Sequence, residues 1–262
     1  MTDYHVHIGQ FGSAYYYAER VFAALKAQGV DEVYFSSTTS CLYCKESEAA
    51  RNDAALREKA PTARALYEGV RGEVEDALRA AVELGINAHA LYWVVPDVHF
   101  AQAGVTVEQA MAEVPYAGFK IHPRAQKWNL CDERTASLAE DVFSYAASHD
   151  KSILIHADDD DMCSPRLFES LLVRYRKVSV QLAHLRPLSD ALYMLRTYPN
   201  VCCDTAMASA DAVAAVQDAG FADRLRPGSD FPIPHWRSMQ PQCDPTADDL
   251  ISFLRRTGTF LF

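Results

Sequence analysis

No stretch of roughly 18 consecutive apolar residues occurs in the chain, so a membrane-spanning helix is not expected. The first residues carry no basic stretch followed by an apolar core, the form of a secretory signal, and a cytoplasmic protein is expected. Lysine and arginine form no dense cluster, and the formal net charge of -10 argues against a nucleic-acid or anionic-membrane surface; solubility is the simpler use of that charge. Neither a phosphate-binding P-loop nor a Gly-x-Ser-x-Gly nucleophile elbow is present. The seven cysteines are odd in number and scattered, which fits reduced thiols and not a disulfide framework. Cys41 and Cys44 stand as Cys-x-x-Cys, but no second such pair completes a structural zinc site, so they read as free thiols in a loop. The run Asp158 to Asp161 lacks the spacing of a calcium-binding EF-hand loop and reads as a solvated turn.

No internal repeat, low-complexity tract or linker divides the sequence, so residues 1–262 are expected to form one domain. At 262 residues and 49% hydrophobic, the chain can bury a large core, and its length matches the roughly 250 residues of one (β/α)8 barrel. Strand patterns fall at 3–8, 31–36, 86–95, 116–122, 152–156, 178–184, 200–205 and 225–230. Helical patterns lie between and after them, at 13–28, 47–84, 106–114, 133–149, 165–177, 187–197, 209–223 and 246–257, with Pro61 expected to divide the second. Strand and helix in alternation mark a parallel sheet with helical crossovers, and eight such units point to an α/β fold, a single closed (β/α)8 TIM barrel.

His5-Val6-His7 places two imidazoles on one face of the first strand, just before Gly9 ends its pattern. A barrel keeps its chemistry at that end of its strands. His156 and His184 each end an apolar strand pattern, and Asp230 follows Arg226-Pro227-Gly228-Ser229 at the tip of the last one. One such histidine fits ordinary packing, but four histidines and an aspartate at strand tips point to a metal site.

The sequence resembles the amidohydrolase superfamily in His5-Val6-His7, Gly118-Phe119-Lys120-Ile121-His122-Pro123, His156, His184-Leu185, Asp204 and Gly228-Ser229-Asp230-Phe231-Pro232. It looks most like the amidohydrolase-related branch that includes aminocarboxymuconate semialdehyde decarboxylase. The resemblance spans nearly the whole chain and rests on the combination and order of these short motifs. It implies that His5, His7, His156 and Asp230 surround one divalent metal, expected to be Zn2+, since imidazoles and a carboxylate suit zinc. Iron, manganese and nickel share such ligands. Asp230 is then expected to move a proton between water and leaving group, and His184 to orient the water, polarise the substrate carbonyl or bind a second metal. In some relatives a lysine at the place of Lys120 is carboxylated and bridges two ions; here an unmodified cation that pairs with Asp204, Asp230 or a substrate carboxylate is preferred. His122 shares the Lys120 face.

In the following loops, Arg124 and Arg186 could grip a substrate carboxylate or phosphate, because a guanidinium fork matches either group. Trp93, His99, His235 and Trp236 fall where they could wall the pocket, whereas His89 and His149 lie toward the opposite ends of their elements. The expected function is metal-dependent hydrolysis of a small-molecule ester, lactone or amide. The alternatives are nonoxidative decarboxylation of a small unsaturated carboxylic acid, a lyase reaction, and a non-catalytic barrel that binds metal or a small molecule. The expected partner is a small-molecule substrate, without nucleic acid or membrane, and a homo-oligomer is compatible with the sequence.

Overall fold

The first strand, β1 (Thr2–Phe11), outruns its alternating pattern and turns back on a short antiparallel partner, β2 (Ala14–Tyr16). These bounds come from a computed structural model describing residues 1–100 and 104–258. The hairpin occupies what the sequence suggested was the start of a helix. Ala14 and Tyr16 are buried with the half-buried Tyr15 between them, a period-two pattern suited to aromatic side chains, so α1 (Ala18–Lys26) begins only after Tyr17.

β3 (Glu32–Ser37) is followed by three helices in place of one, α2 (Glu48–Asn52), α3 (Ala54–Lys59) and α4 (Ala63–Leu84). Pro61 divides them as expected. Asp53 makes a second break: its carboxylate accepts from Leu56 N at 3.0 Å, so it ends one helix while capping the next. The chain continues through β4 (Asn87–Trp93), α5 (Pro96–Phe100), α6 (Val107–Glu113), β5 (Gly118–Ile121), α7 (Pro123–Gln126), α8 (Glu133–Ser148), β6 (Ser152–Ile155), α9 (Glu169–Arg174) and β7 (Val180–Leu182). It ends with α10 (Leu188–Thr197), β8 (Val201–Asp204), α11 (Ala210–Asp218), β9 (Leu225–Arg226), α12 (Ile233–Met239) and α13 (Ala247–Thr257).

The nine strands form one sheet in the order β2-β1-β3-β4-β5-β6-β7-β8-β9, parallel throughout apart from the β1–β2 hairpin. The sheet curls. Past β9 the chain lies against β1, where Tyr4 N donates to Pro227 O (2.8 Å), Asp230 N to His5 O (2.8 Å) and His7 N to Phe231 O (2.7 Å). Side-chain alternation divides its two faces. Val6, Ile8, Phe119, Ile121, Ile153 and Ile155 belong to the main apolar core, which includes the buried faces of α1, α4 and α8. His5, His7 and Lys120 alternate with them and meet one another inside. Each fully buried aliphatic residue contributes roughly 1.5–3 kcal/mol. A one-residue slip of β1 would send Val6 and Ile8 inward and both histidines outward, so packing fixes the register on which the site depends.

Candidate metal centre

His5 and His7 are almost fully buried, and each is fixed through Nδ1. His5 Nδ1 lies 3.0 Å from Asp204 Oδ2, and His7 Nδ1 lies 3.3 Å from the Ser36 carbonyl oxygen. His184 Nδ1 lies 2.9 Å from Ala206 O. A carboxylate or carbonyl only accepts, so His5 and His184 carry their proton on Nδ1 and present the Nε2 lone pair, whereas His7 has acceptors at both nitrogens, Ser36 O and Asp230 Oδ1, with the Ser36 hydroxyl also 3.1 Å from its Nδ1. His156 Nδ1, 3.1 Å from His184 Nε2, completes the chain by donating to it.

Asp230 Oδ1 stands 3.1 Å from His7 Nε2 and 3.4 Å from His5 Nε2. Zinc bonds to nitrogen and oxygen give a tetrahedron edge of roughly 3.3–3.4 Å, so these three donors are spaced for one ion. Ligand atoms of His5, His7 and Asp230 all lie within 4.8 Å of one another, as do those of His5, His184 and Asp204. His156 falls in a third group, with His122 and Cys163, and meets the first two through His184. The 3.1 Å His156–His184 contact is also close to a coordination edge.

Burial is the largest influence on the histidines, and Lys120 adds to it: His5 falls to about 4 despite the pull of Asp204 and Asp230, and His7, His122 and His156 are lowered as well. Neutral rings are what metal binding requires. Burial pushes Asp230 up, but the His7 hydrogen bond and the neighbouring imidazoles outweigh it and hold the carboxylate ionised. Lys120 is fully buried with Nζ 3.0 Å from His5 Nε2, so it holds the lone pair that an ion would take. Burial lowers its amine to about 8, against the opposing charges of Asp230 and Asp204.

Asp204 supports the centre and is itself saturated. Its Oδ2 accepts from His5 Nδ1 and Gln181 Nε2 (2.8 Å), and its Oδ1 from the backbone of His184 and Ala206, both at 3.1 Å. Asp3, also fully buried, accepts from His5 N, Ser229 N and Ser229 Oγ, tying β1 to the turn before Asp230. The period-two pattern of β1 puts Asp3 on the same face as His5 and His7, a signal the sequence reading did not use.

A cavity of about 190 Å3 opens onto His7, Lys120, His122, His156, His184 and Asp230. A larger cavity of about 540 Å3, beside Tyr43, Phe100 and Arg134, touches none of them. His122 follows β5, caps α7, and stacks between Trp93 and His156 to form one wall. Arg186 and Trp236 line the cavity. Arg124 does not: it is 54% exposed and paired with Asp160 and, at 3.6 Å, with Asp158. His99 and His235 are held elsewhere, by Val105 O with Tyr92 and by Tyr16 respectively. Cys41 borders the cavity, its thiol pushed up to about 12 by burial, and Cys44 donates to Asp97. Phe11, Thr38, Met207, Ile233 and Arg237 also line the cavity without having been singled out by the sequence.

Comparison with known sequence families matches residues 54–252 to the amidohydrolase family, a stretch that contains Lys120, His156, His184, Asp204 and Asp230 and begins after His5 and His7. No curated protein matches the chain. Divalent metal binding is typical of the family, in keeping with the spacing of these donors. With that match covering most of its length, the chain belongs to the amidohydrolase family.

Proposed function

We propose that the protein is a metal-dependent hydrolase of a small-molecule ester, lactone or amide, working at the tips of a closed (β/α)8 barrel. Zn2+ held by His5, His7, His156 and Asp230 is the proposed cofactor. The observation that carries this reading is the meeting of donors at Asp230: the Nε2 atoms of His7 and His5 lie 3.1 and 3.4 Å from its Oδ1, and the acceptors at Nδ1 of His5 and His184 leave the Nε2 atoms of those two rings as lone pairs. The hydrogen bonds between β1 and the 227–231 segment support closure of the barrel.

A divalent ion bound there would supply Lewis acidity, polarising a carbonyl and lowering the pKa of water toward about 7. The chain's own residues do the rest. Asp230 takes a proton from the attacking water and returns it to the leaving group, because it is ionised and its Oδ1 lies at the centre. His184, with Nδ1 committed to Ala206 O, has no Nε2 proton in its neutral form. It therefore accepts or ligates, and polarising a carbonyl would require its protonated ring. Trp93 and His122 exclude water from one side.

Decarboxylation of a small unsaturated carboxylic acid is the second reading. It is favoured by Lys120, a cation beside His5 that could orient a substrate carboxylate. Metal analysis of the purified protein, followed by a panel of lactones, esters, amides and unsaturated acids with carbon dioxide release measured in parallel, tests both. We expect about one ion per chain and metal-dependent hydrolysis abolished by Asp230→Asn. Carbon dioxide release that depends on metal and Asp230, without hydrolysis of any panel member, would establish the second reading instead.

A further inference from the structure

We propose that Arg186 and Arg237 form an anion clamp at the mouth of the metal cavity, selecting substrates with a carboxylate on an apolar body, remote from the reacting carbon. This deepens the hydrolase reading and rests on it for the position of the reacting end. Both arginines line the cavity that contains His7, His184 and Asp230. Both also touch one residue: Arg186 Nη2 donates to Met207 O at 3.0 Å, and Arg237 Nη1 lies 3.9 Å from Met207 Sδ. Neither pairs with a carboxylate among the described residues, in contrast to Arg124, which Asp158 and Asp160 neutralise.

The backbone that places Arg186 and its partner Met207 is under strain. Met207 has φ +54°, in the left-handed region that non-glycine residues rarely enter, and His184 (φ +70°) and Leu185 (φ +51°), immediately before Arg186, share it. Such outliers persist only where surrounding contacts enforce them, and they gather at ligand sites. One strained turn thus sets both the His184 ring and the root of Arg186, fixing the offset between the clamp and the metal centre.

The charge balance agrees. Lys120, Arg186 and Arg237 face the cavity against Asp158 and Asp230, although the whole chain carries a net charge of -10. Beside the arginines, Phe11 and Trp236 meet edge to face at 4.7 Å, and Ile233 extends this apolar wall. At about 190 Å3 the cavity is below the roughly 300–1,000 Å3 of drug-sized pockets, so the ligand is a small acid. A guanidinium fork also matches phosphate, which makes inorganic phosphate the competing probe.

The test measures binding of benzoate, benzyl alcohol and inorganic phosphate by calorimetry to the wild type and to the R186Q, R237Q and R237K variants, each metal-loaded and chelator-stripped. Arg237 is exposed, so its variants are expected to fold. We expect benzoate to bind both forms of the wild type, each glutamine substitution to weaken it about tenfold, and R237K to fall between, because lysine keeps the charge and loses the fork. Benzyl alcohol should be indifferent to the substitutions. Benzoate binding that is lost on stripping and unchanged in both glutamine variants would place the carboxylate on the metal and overturn the clamp while leaving the hydrolase reading intact. Absence of benzoate binding, or phosphate binding tenfold more tightly through the same arginines, would overturn it as well. The stripped protein reads the clamp even if the metal assignment fails.

Discussion

Replacing Asp204 with Asn should disable the metal centre without touching a proposed ligand. Each oxygen of Asp204 accepts two hydrogen bonds, and the pair at Oδ1 comes from the backbone of His184 and Ala206, which cannot change roles. An asparagine must therefore keep its carbonyl there and turn its amide NH2 toward His5 Nδ1 and Gln181 Nε2. Gln181 resists flipping, because its Oε1 already accepts from Arg226 at 3.2 Å. His5 can relieve the clash by moving its proton to Nε2, the atom that faces Asp230, and would then present a donor where an ion needs a lone pair.

Loss of such a supporting carboxylate typically costs about 10–100-fold in metal affinity, and losing a hydrogen bond to a buried charged acceptor about 1.5–3 kcal/mol in stability. The pH dependence has a definite sign. Burial raises the Asp204 carboxyl, but His5 and His184 outweigh it and hold it at about 2, below its ordinary 3.8. A lowered acid stabilises the fold above its unfolded pKa, and here that contribution, on the order of 2 kcal/mol, is lost as pH falls from about 4 toward 2. Chelator competition, denaturant unfolding at several pH values, and nitrogen NMR of the His5 ring read the three consequences. Metal affinity within threefold of wild type, with His5 still protonated on Nδ1, would refute the tautomer argument.

Replacing both His5 and His7 with Ala removes two of three tightly spaced donors, and elemental analysis should find the ion gone; full occupancy would exclude these residues as ligands. Arg124→Ala should leave metal content unchanged and cost no more than about 1 kcal/mol, since the pair it breaks is exposed; a large loss of turnover would return Arg124 to the site. Lys120→Met should retain one ion per chain, whereas a fall from two to one would show that Lys120 is modified and bridges them. Gly228→Ala would bring a methyl within 3.1 Å of His5 Cβ and 3.3 Å of Asp204 Cβ, and we expect about 1–3 kcal/mol of destabilisation together with weaker metal binding; an unchanged melting temperature would mean that the turn has room.

The sequence made the donors legible because their signal is local. Period two puts His5 and His7 on one face, and apolar runs ending in His156 and His184 mark strand tips. What it hid lies in long-range or backbone chemistry. Nothing in the residue type of Ala206 reveals that its carbonyl fixes a histidine tautomer, since every residue has one. Arg124 and Arg186 look alike as loop arginines, and only the fold brings Asp158 and Asp160 to one and leaves the other in the cavity. The β1–β2 hairpin was missed for a different reason: an amphipathic helix follows so closely that its pattern masks a three-residue strand.

The strained backbone explains why these donors sit where a regular strand could not place them. Asp230 has φ +56° and His184 φ +70°, so both leave extended geometry at the moment they enter the site. Glycine would adopt these angles at little cost but supplies no donor, so each position accepts on the order of 1–2 kcal/mol of backbone penalty to keep its side chain. The compensation is visible in the hydrogen bonds: His5 O receives Asp230 N at 2.8 Å, and Asp204 Oδ1 receives His184 N at 3.1 Å. Asp204 therefore holds the ring of one histidine and the backbone of another. A change there should move metal affinity and the geometry of the β7–α10 turn together, whereas a change at His7, which Asp204 does not touch, should move only the first.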